Sequence, residues 1–281
     1  MKFGIHLPQI GNHVTAELIG QAARDAEDLG YDSIWVNDHL AIPDGAPYPP
    51  AEILEPLIML TWAAACTSKV AIGTSVLLLA LRHPVHLAKE LATLDILSGQ
   101  RLIVGAGVGW LKEEFEALGI PFSGRGAYTD ECIKLLRACW QEDPVTTEAD
   151  LIPAVTKNIR TLPQPNRDIP IWVGGNSKAA IERAKKFGQG WHGLATRLTV
   201  DDLRPIVADL RANTGPDFRI TVRTFWDALK DDNDELKATL EAYADMGING
   251  VISEPRQRDV EKRRKAVEAM LELSQPWQTR D

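Results

Sequence analysis

The sequence predicts an α/β protein of the (β/α)8 TIM-barrel class, on three observations. Eight short apolar runs alternate with helical patterns, roughly one pair per 30 residues. The runs are apolar without alternation, as strands buried on both faces of a parallel sheet are. Acid, imidazole, hydroxyl and glycine residues gather where the runs stop, at what would be the barrel's carboxyl face. A doubly wound sheet also alternates strands and helices, but usually with five or six strands.

The elements follow in order. Phe3 to Leu7 is the first strand, ended by Pro8. Thr15 to Leu29 is a helix, with Leu18, Ile19, Ala22, Ala23, Ala26 and Leu29 at helical spacing and Gly30 as its stop. Ile34 to Val36 is the second strand, running into Asn37-Asp38-His39. The stretch Ala41 to Pro50 holds four prolines and is a loop above the barrel mouth. Glu55 to Cys66 is a helix, Val70 to Leu77 the third strand and Pro84 to Leu97 the next helix. Leu102 to Gly107 is the fourth strand and Ala127 to Trp140 a long helix. Ile171–Val173, Trp191–Leu194, Ile220–Phe225 and Gly250–Ser253 complete the strands. Their helices are Ser177–Phe187, Val200–Ala212, Asp234–Met246 and Val260–Leu273. Gln141 to Asp168 breaks the rhythm, being polar and without a strong period. It reads as an insertion of about residues 141–169 between units four and five of a single domain spanning 1–281.

Composition narrows the function classes. A chain 44% hydrophobic and 25% charged is ordinary for a globular protein with one large core. A net charge of -8 argues against nucleic-acid or acidic-membrane partners. The longest apolar run, Val76 to Leu81, is too short to span a bilayer, and the amino terminus lacks signal-peptide features, so a cytoplasmic location is expected. Cys66, Cys132 and Cys139 form no CxxC pair and fall in apolar helical patterns, which suggests buried thiols.

Several strand ends could carry chemistry. Asp38 and His39 put an acid and an imidazole at the end of strand two; the alternative is a turn cap and a core filler. Gly105-Ala-Gly-Val-Gly109 lets backbone approach a flat ligand or, equally, a neighbouring strand, and Trp110 stands where a dinucleotide fingerprint would have its third glycine. Gly174-Gly-Asn-Ser177 opens a helix and suits an anionic group at its amino terminus, or is a plain turn with a cap. The hydroxyls of Thr74 and Ser75 could meet a polar ring edge or satisfy backbone groups. His83 and His86 are three apart without a nearby third ligand, so no metal site is expected there. His192 ends strand six, facing the mouth or the core. A metal-dependent hydrolase would draw on His6, His39, His192 and Glu254.

Together, Ser33-Ile-Trp-Val-Asn-Asp-His-Leu40, Arg82-His-Pro84, Ala88 to Gly99, Gly105 to Gly119, Arg125-Gly126 and Ile171 to Ser177 resemble the luciferase-like monooxygenase family. They are most similar to its branch of coenzyme F420-dependent oxidoreductases, over the chain up to about residue 195. The resemblance implies an interrupted barrel binding coenzyme F420 at its carboxyl face and transferring a hydride to or from a small organic substrate. The alternative is FMN, with reduced flavin from a partner reductase and oxygen chemistry. It implies His39 and Asp38 as the catalytic pair near the ring, and a non-prolyl cis peptide at Ser75-Val76. It further implies cofactor contacts at Ser75, Val76, Gly107 and Gly109, and a phosphate-side loop of Gly174, Gly175, Asn176 and Ser177. A homodimer is expected, and no metal. Where a sugar-phosphate-oxidising member has an acid after the strand-four glycines, this chain has Trp110, with Glu113 one turn on.

Overall fold

A computed structural model of the chain describes residues 1–46, 48–147, 151–152, 156–255, 257 and 259–279. Pro47 of the proline-rich loop, and 148–150 and 153–155 of the insertion, lie outside them. The strands are β1 Lys2–His6, β2 Ser33–Val36, β3 Ala71–Thr74, β4 Leu77–Leu78, β5 Leu102–Gly107, β6 Val145–Thr147, β7 Thr156–Ile159, β8 Ile171–Gly174, β9 Gly190–Leu194, β10 Arg219–Thr224 and β11 Gly250–Ser253. The helices are α1 Ala16–Leu29, α2 Pro56–Ala65, α3 Pro84–Leu97, α4 Lys112–Ala117, α5 Arg125–Gln141, α6 Lys178–Phe187, α7 Val200–Asn213, α8 Asn233–Met246 and α9 Val260–Ser274.

Local chemistry sets the ends of these helices. Thr15 accepts a hydrogen bond from the Leu18 amide at the start of α1, and Gly30 stops it in the left-handed conformation. Pro56 opens α2 behind a Glu55 cap, and Thr199 with Asp202 forms a capping box on α7. The helices bury one stripe against the strands; Ile19, Ala23 and Ala26 are that stripe on α1.

The sheet order is β3-β2-β1-β11-β10-β9-β8-β5-β4, and β3 also pairs with β5. All its pairings are parallel, and the β3–β5 pairing closes the sheet on itself. With β3 and β4 as two pieces of one stave, the barrel has the eight staves that the strand count predicts. Its interior is filled, not hollow. Trp35 is fully buried, stacked on Trp172 at 5.5 Å and on the His192 imidazole at 5.4 Å.

Three expectations change. The third strand is not continuous from Val70 to Leu77, because the Ser75–Val76 peptide is cis and divides it into β3 and β4. The insertion is not without regular structure: β6 and β7 pair antiparallel, with Val145 opposite Ile159. A short helix, α4, stands where the sequence shows only the glycine-rich run-out of strand four. Cys132 and Cys139 are buried as expected, whereas Cys66 is half-buried. Among the described residues, no helix is long and apolar enough to cross a membrane.

Candidate active site at the carboxyl face

Asp38 and His39 leave β2 side by side and do different things. Asp38 is buried, and its carboxylate accepts from the Leu78 amide at 2.7 Å and from both terminal nitrogens of Arg82, one at 3.0 Å. Arg82 also donates to Glu55 at 2.8 Å. Burial opposes the charge on this guanidinium, but the two carboxylates outweigh it and hold Arg82 above its usual range. Asp38 thus ties the end of β2 to β4 and to the start of α3. The buried Gln9 secures the same corner, bonding Asn37 through both main-chain groups at 2.6 and 2.8 Å.

His39 faces Glu114, with its Nδ1 3.2 Å from the carboxylate. Glu114 is fully buried and also accepts the amides of Leu40 and Ala41. Burial pushes this carboxyl up, but the imidazole and the two amides outweigh it and leave it below the usual carboxylate range. A carboxylate facing Nδ1 selects the tautomer with the proton there, leaving Nε2 as an acceptor. Nε2 has no partner among the described residues. The His39 and Trp110 rings meet edge-to-face with centroids 6.0 Å apart, and the Tyr48 ring lies nearly parallel to Trp110.

The remaining expected residues are held by separate sets of partners. Ser75 Oγ lies 2.8 Å from His192 Nε2, whose Nδ1 is 2.9 Å from Thr221 Oγ1; the Ser75 carbonyl accepts from Arg223 at 2.8 Å. Burial, reinforced by Arg223, pushes the His192 imidazole down to about 3, so it is neutral. The Val76 side chain fills the space that side chains at Gly107 and Gly174 would occupy. A Cβ there would come within 2.3 and 2.4 Å of its methyl groups. Gly109 accepts from Arg125 through its carbonyl at 2.9 Å. Gly175 accepts from the Trp191 indole at 2.8 Å, and the Asn176 amide makes two 2.9 Å bonds to Leu194 main chain. Ser177 caps α6, accepting from the Ala180 amide at 3.2 Å. Leu78 links Asp38 to the glycines, since its amide holds Asp38 and its side chain lies against Gly107 and Gly109.

Glu114 is the residue that sequence reasoning missed, having pointed to Glu113, which is exposed. A signal was present: Leu111, Glu114 and Phe115 share one helical face, so an acid sits on an apolar stripe. In Arg82-His-Pro84 the arginine, not a histidine, reaches the site; His83 and His86 are exposed. His39, His192 and Glu254 are engaged by Glu114, by Ser75 with Thr221, and by Arg223. Among the described residues, no group of three or more His, Cys, Asp or Glu is arranged to hold a metal ion.

Comparison with known proteins identifies a family. The model of the luciferase-like monooxygenase family matches residues 1–281. An uncharacterised protein of Mycobacterium tuberculosis is 31% identical over 207 residues, 69% of this chain and 71% of its own. The F420-dependent glucose-6-phosphate dehydrogenase of Amycolatopsis mediterranei is 31% identical over 216 residues, 72% of this chain and 62% of that protein. Among solved structures, a monooxygenase of Streptomyces bottropensis superposes with a TM-score of 0.84 at 22% identity, covering 99% of both chains. An F420-dependent secondary alcohol dehydrogenase in complex with an F420–acetone adduct superposes at 0.77 with 19% identity, again over 99% of both. These two likenesses carry the fold alone; with the full-length family match, they leave one conclusion, that the chain belongs to the luciferase-like monooxygenase family.

Proposed function

We propose that the chain is an oxidoreductase that exchanges a hydride between coenzyme F420 and a small organic substrate, with His39 handling the proton. The observation that carries this is His39 itself, at the end of a barrel strand, its Nδ1 on a buried carboxylate and its Nε2 unpartnered. An imidazole so held can accept a proton from a hydroxyl, or return one, without a change of tautomer. Asp38 positions this group through Arg82 and Leu78 and is not itself the proton carrier.

The residues present fit a planar cofactor. Ser75 and Val76 offer a small ridge between β3 and β4, supported from below by Gly107 and Gly174. At the strand ends, Thr224 Oγ1, Arg223 Nε and both ring nitrogens of His6 are buried without a partner among the described residues. Buried polar atoms of that kind are what a ligand's polar edge or bound water satisfies. The turn Gly174 to Ser177 and the first amides of α6 would hold an anionic tail, with Asn176 and Ser177 shaping that turn. When bound, the deazaflavin supplies the carbon that gives or takes the hydride. The chain supplies the support, the orientation and the proton site.

Titration of the protein with F420 and with FMN, separately, tests the reading through absorbance and tryptophan quenching. F420 binding with little affinity for FMN is expected; the reverse would make the chain a flavin monooxygenase fed by a reductase. Binding of neither would sink the redox reading. His39→Ala is expected to lower turnover by about 100- to 10,000-fold while leaving cofactor affinity within a few-fold. Full turnover in that variant would remove His39 from the chemistry.

A further inference from the structure

We propose that Trp110 and Tyr48 form a subsite for the substrate, and that it recognises a planar aryl or conjugated ring and not a sugar phosphate. This deepens the reading of His39 above and rests on it. Trp110 follows Gly109 at the end of β5 with 54% of its surface exposed, while its neighbours Gly109 and Leu111 are buried. Tyr48, from the loop above the mouth, is 45% exposed. The two rings lie within 11° of parallel with centroids 6.5 Å apart, at the wide end of aromatic stacking, so each has surface left for a third ring. Trp110 also packs edge-to-face with the His39 ring, at 82° and 6.0 Å. A ring laid on Trp110 therefore lies beside the His39 imidazole. Leu40, the next residue along, is also exposed and adds apolar surface.

Charge at this corner points the same way. A phosphate-bearing substrate needs an available guanidinium or ammonium group. Arg82, which reaches the neighbour of His39, is engaged by Asp38 and Glu55. Arg125, which reaches the neighbour of Trp110, donates to the carbonyls of Gly109 and Phe122 and lies 3.7 Å over the Phe122 ring. The charge left beneath His39 is the Glu114 carboxylate, which repels a dianion.

The test is calorimetric titration of acetophenone, cyclohexanone and glucose 6-phosphate into the protein, with and without cofactor. Acetophenone is expected to bind more tightly than cyclohexanone, and glucose 6-phosphate not measurably. Trp110→Ala is expected to weaken acetophenone binding at least tenfold, and Trp110→Phe to restore most of it. Acetophenone affinity within twofold of wild type in Trp110→Ala would overturn the proposal, as would preferential binding of glucose 6-phosphate. So would a Trp110→Ala protein that loses F420 or FMN but still binds the ketone, since the ring would then belong to the cofactor's site. Titration without cofactor separates the two readings: Trp110-dependent ketone binding in a protein that takes up neither F420 nor FMN sinks the redox reading alone.

Discussion

At the scale of single residues, the site depends on a carboxylate that touches no solvent. Glu114 accepts from one imidazole and two amides, and these replace the water it gave up. Glu114→Gln keeps an acceptor for the amides but loses the charge that fixes the His39 tautomer. We expect turnover to fall about 10- to 100-fold, the range typical of groups that orient a functional histidine. The 15N shifts of His39 should move from a single Nδ1–H form toward a tautomer mixture. Unchanged shifts beside a loss of turnover would mean that Glu114 acts in some other way. Asp38 and His39 were both legible in the sequence, because a strand end bearing polar groups is visible there. Their division of labour was not, since it depends on Arg82 and Glu114, which lie 44 and 75 positions away in the chain.

At the scale of elements, the third stave shows where periodicity stops being informative. An apolar run from Val70 to Leu77 reads as one strand, and no pattern of hydrophobicity marks the turn of backbone at Ser75–Val76. The glycines around it were visible but ambiguous between ligand contact and packing. The structure shows that Gly107 and Gly174 are the room that Val76 occupies. The β6–β7 pair escaped notice because each strand is short and polar and lacks the two-residue alternation that marks a half-buried strand. The packing has a measurable consequence. Gly107→Ala should destabilise by about 1–3 kcal/mol through overpacking against Val76. Val76→Ala leaves a small void of its own yet removes the methyl groups that collide. The double variant should therefore be more stable than the sum of the single losses by about 1 kcal/mol or more, measured by denaturant unfolding. Strict additivity would show that the valine is not what requires a glycine at 107.

The barrel count was legible because each buried parallel stave appears as a short apolar run followed by a helical pattern. What fills the barrel was not. His6 and His192 look like candidate ligands when read alone, yet each is a neutral imidazole inside the closed sheet. Burial is the first cause for both, and Arg223 adds to it, so each is depressed below an unfolded value of 6.5, His192 to about 3. Well above pH 6.5 neither imidazole is protonated in either state, so neither makes stability depend on pH. Below pH 6.5 the unfolded chain takes up protons on these two groups and the folded chain does not, down to about pH 3 for His192, so stability falls as the pH falls. Each contributes a slope of about 1.4 kcal/mol per pH unit within its window. Paired carboxylates such as Glu114 pull the same way, but only below their unfolded value of 4.5. From pH 6.5 to 5 the lowered carboxyls stay ionised in both states, and the buried Asp38, which burial pushes up, acts alike in the wild type and in a His192 variant. Urea unfolding in that interval should lose stability more steeply in the wild type than in His192→Gln, whatever that variant's stability at pH 7.5. Equal slopes in the two proteins would mean that His192 is protonated inside the barrel, and its neutral place between Trp35, Ser75 and Thr221 would have to be abandoned.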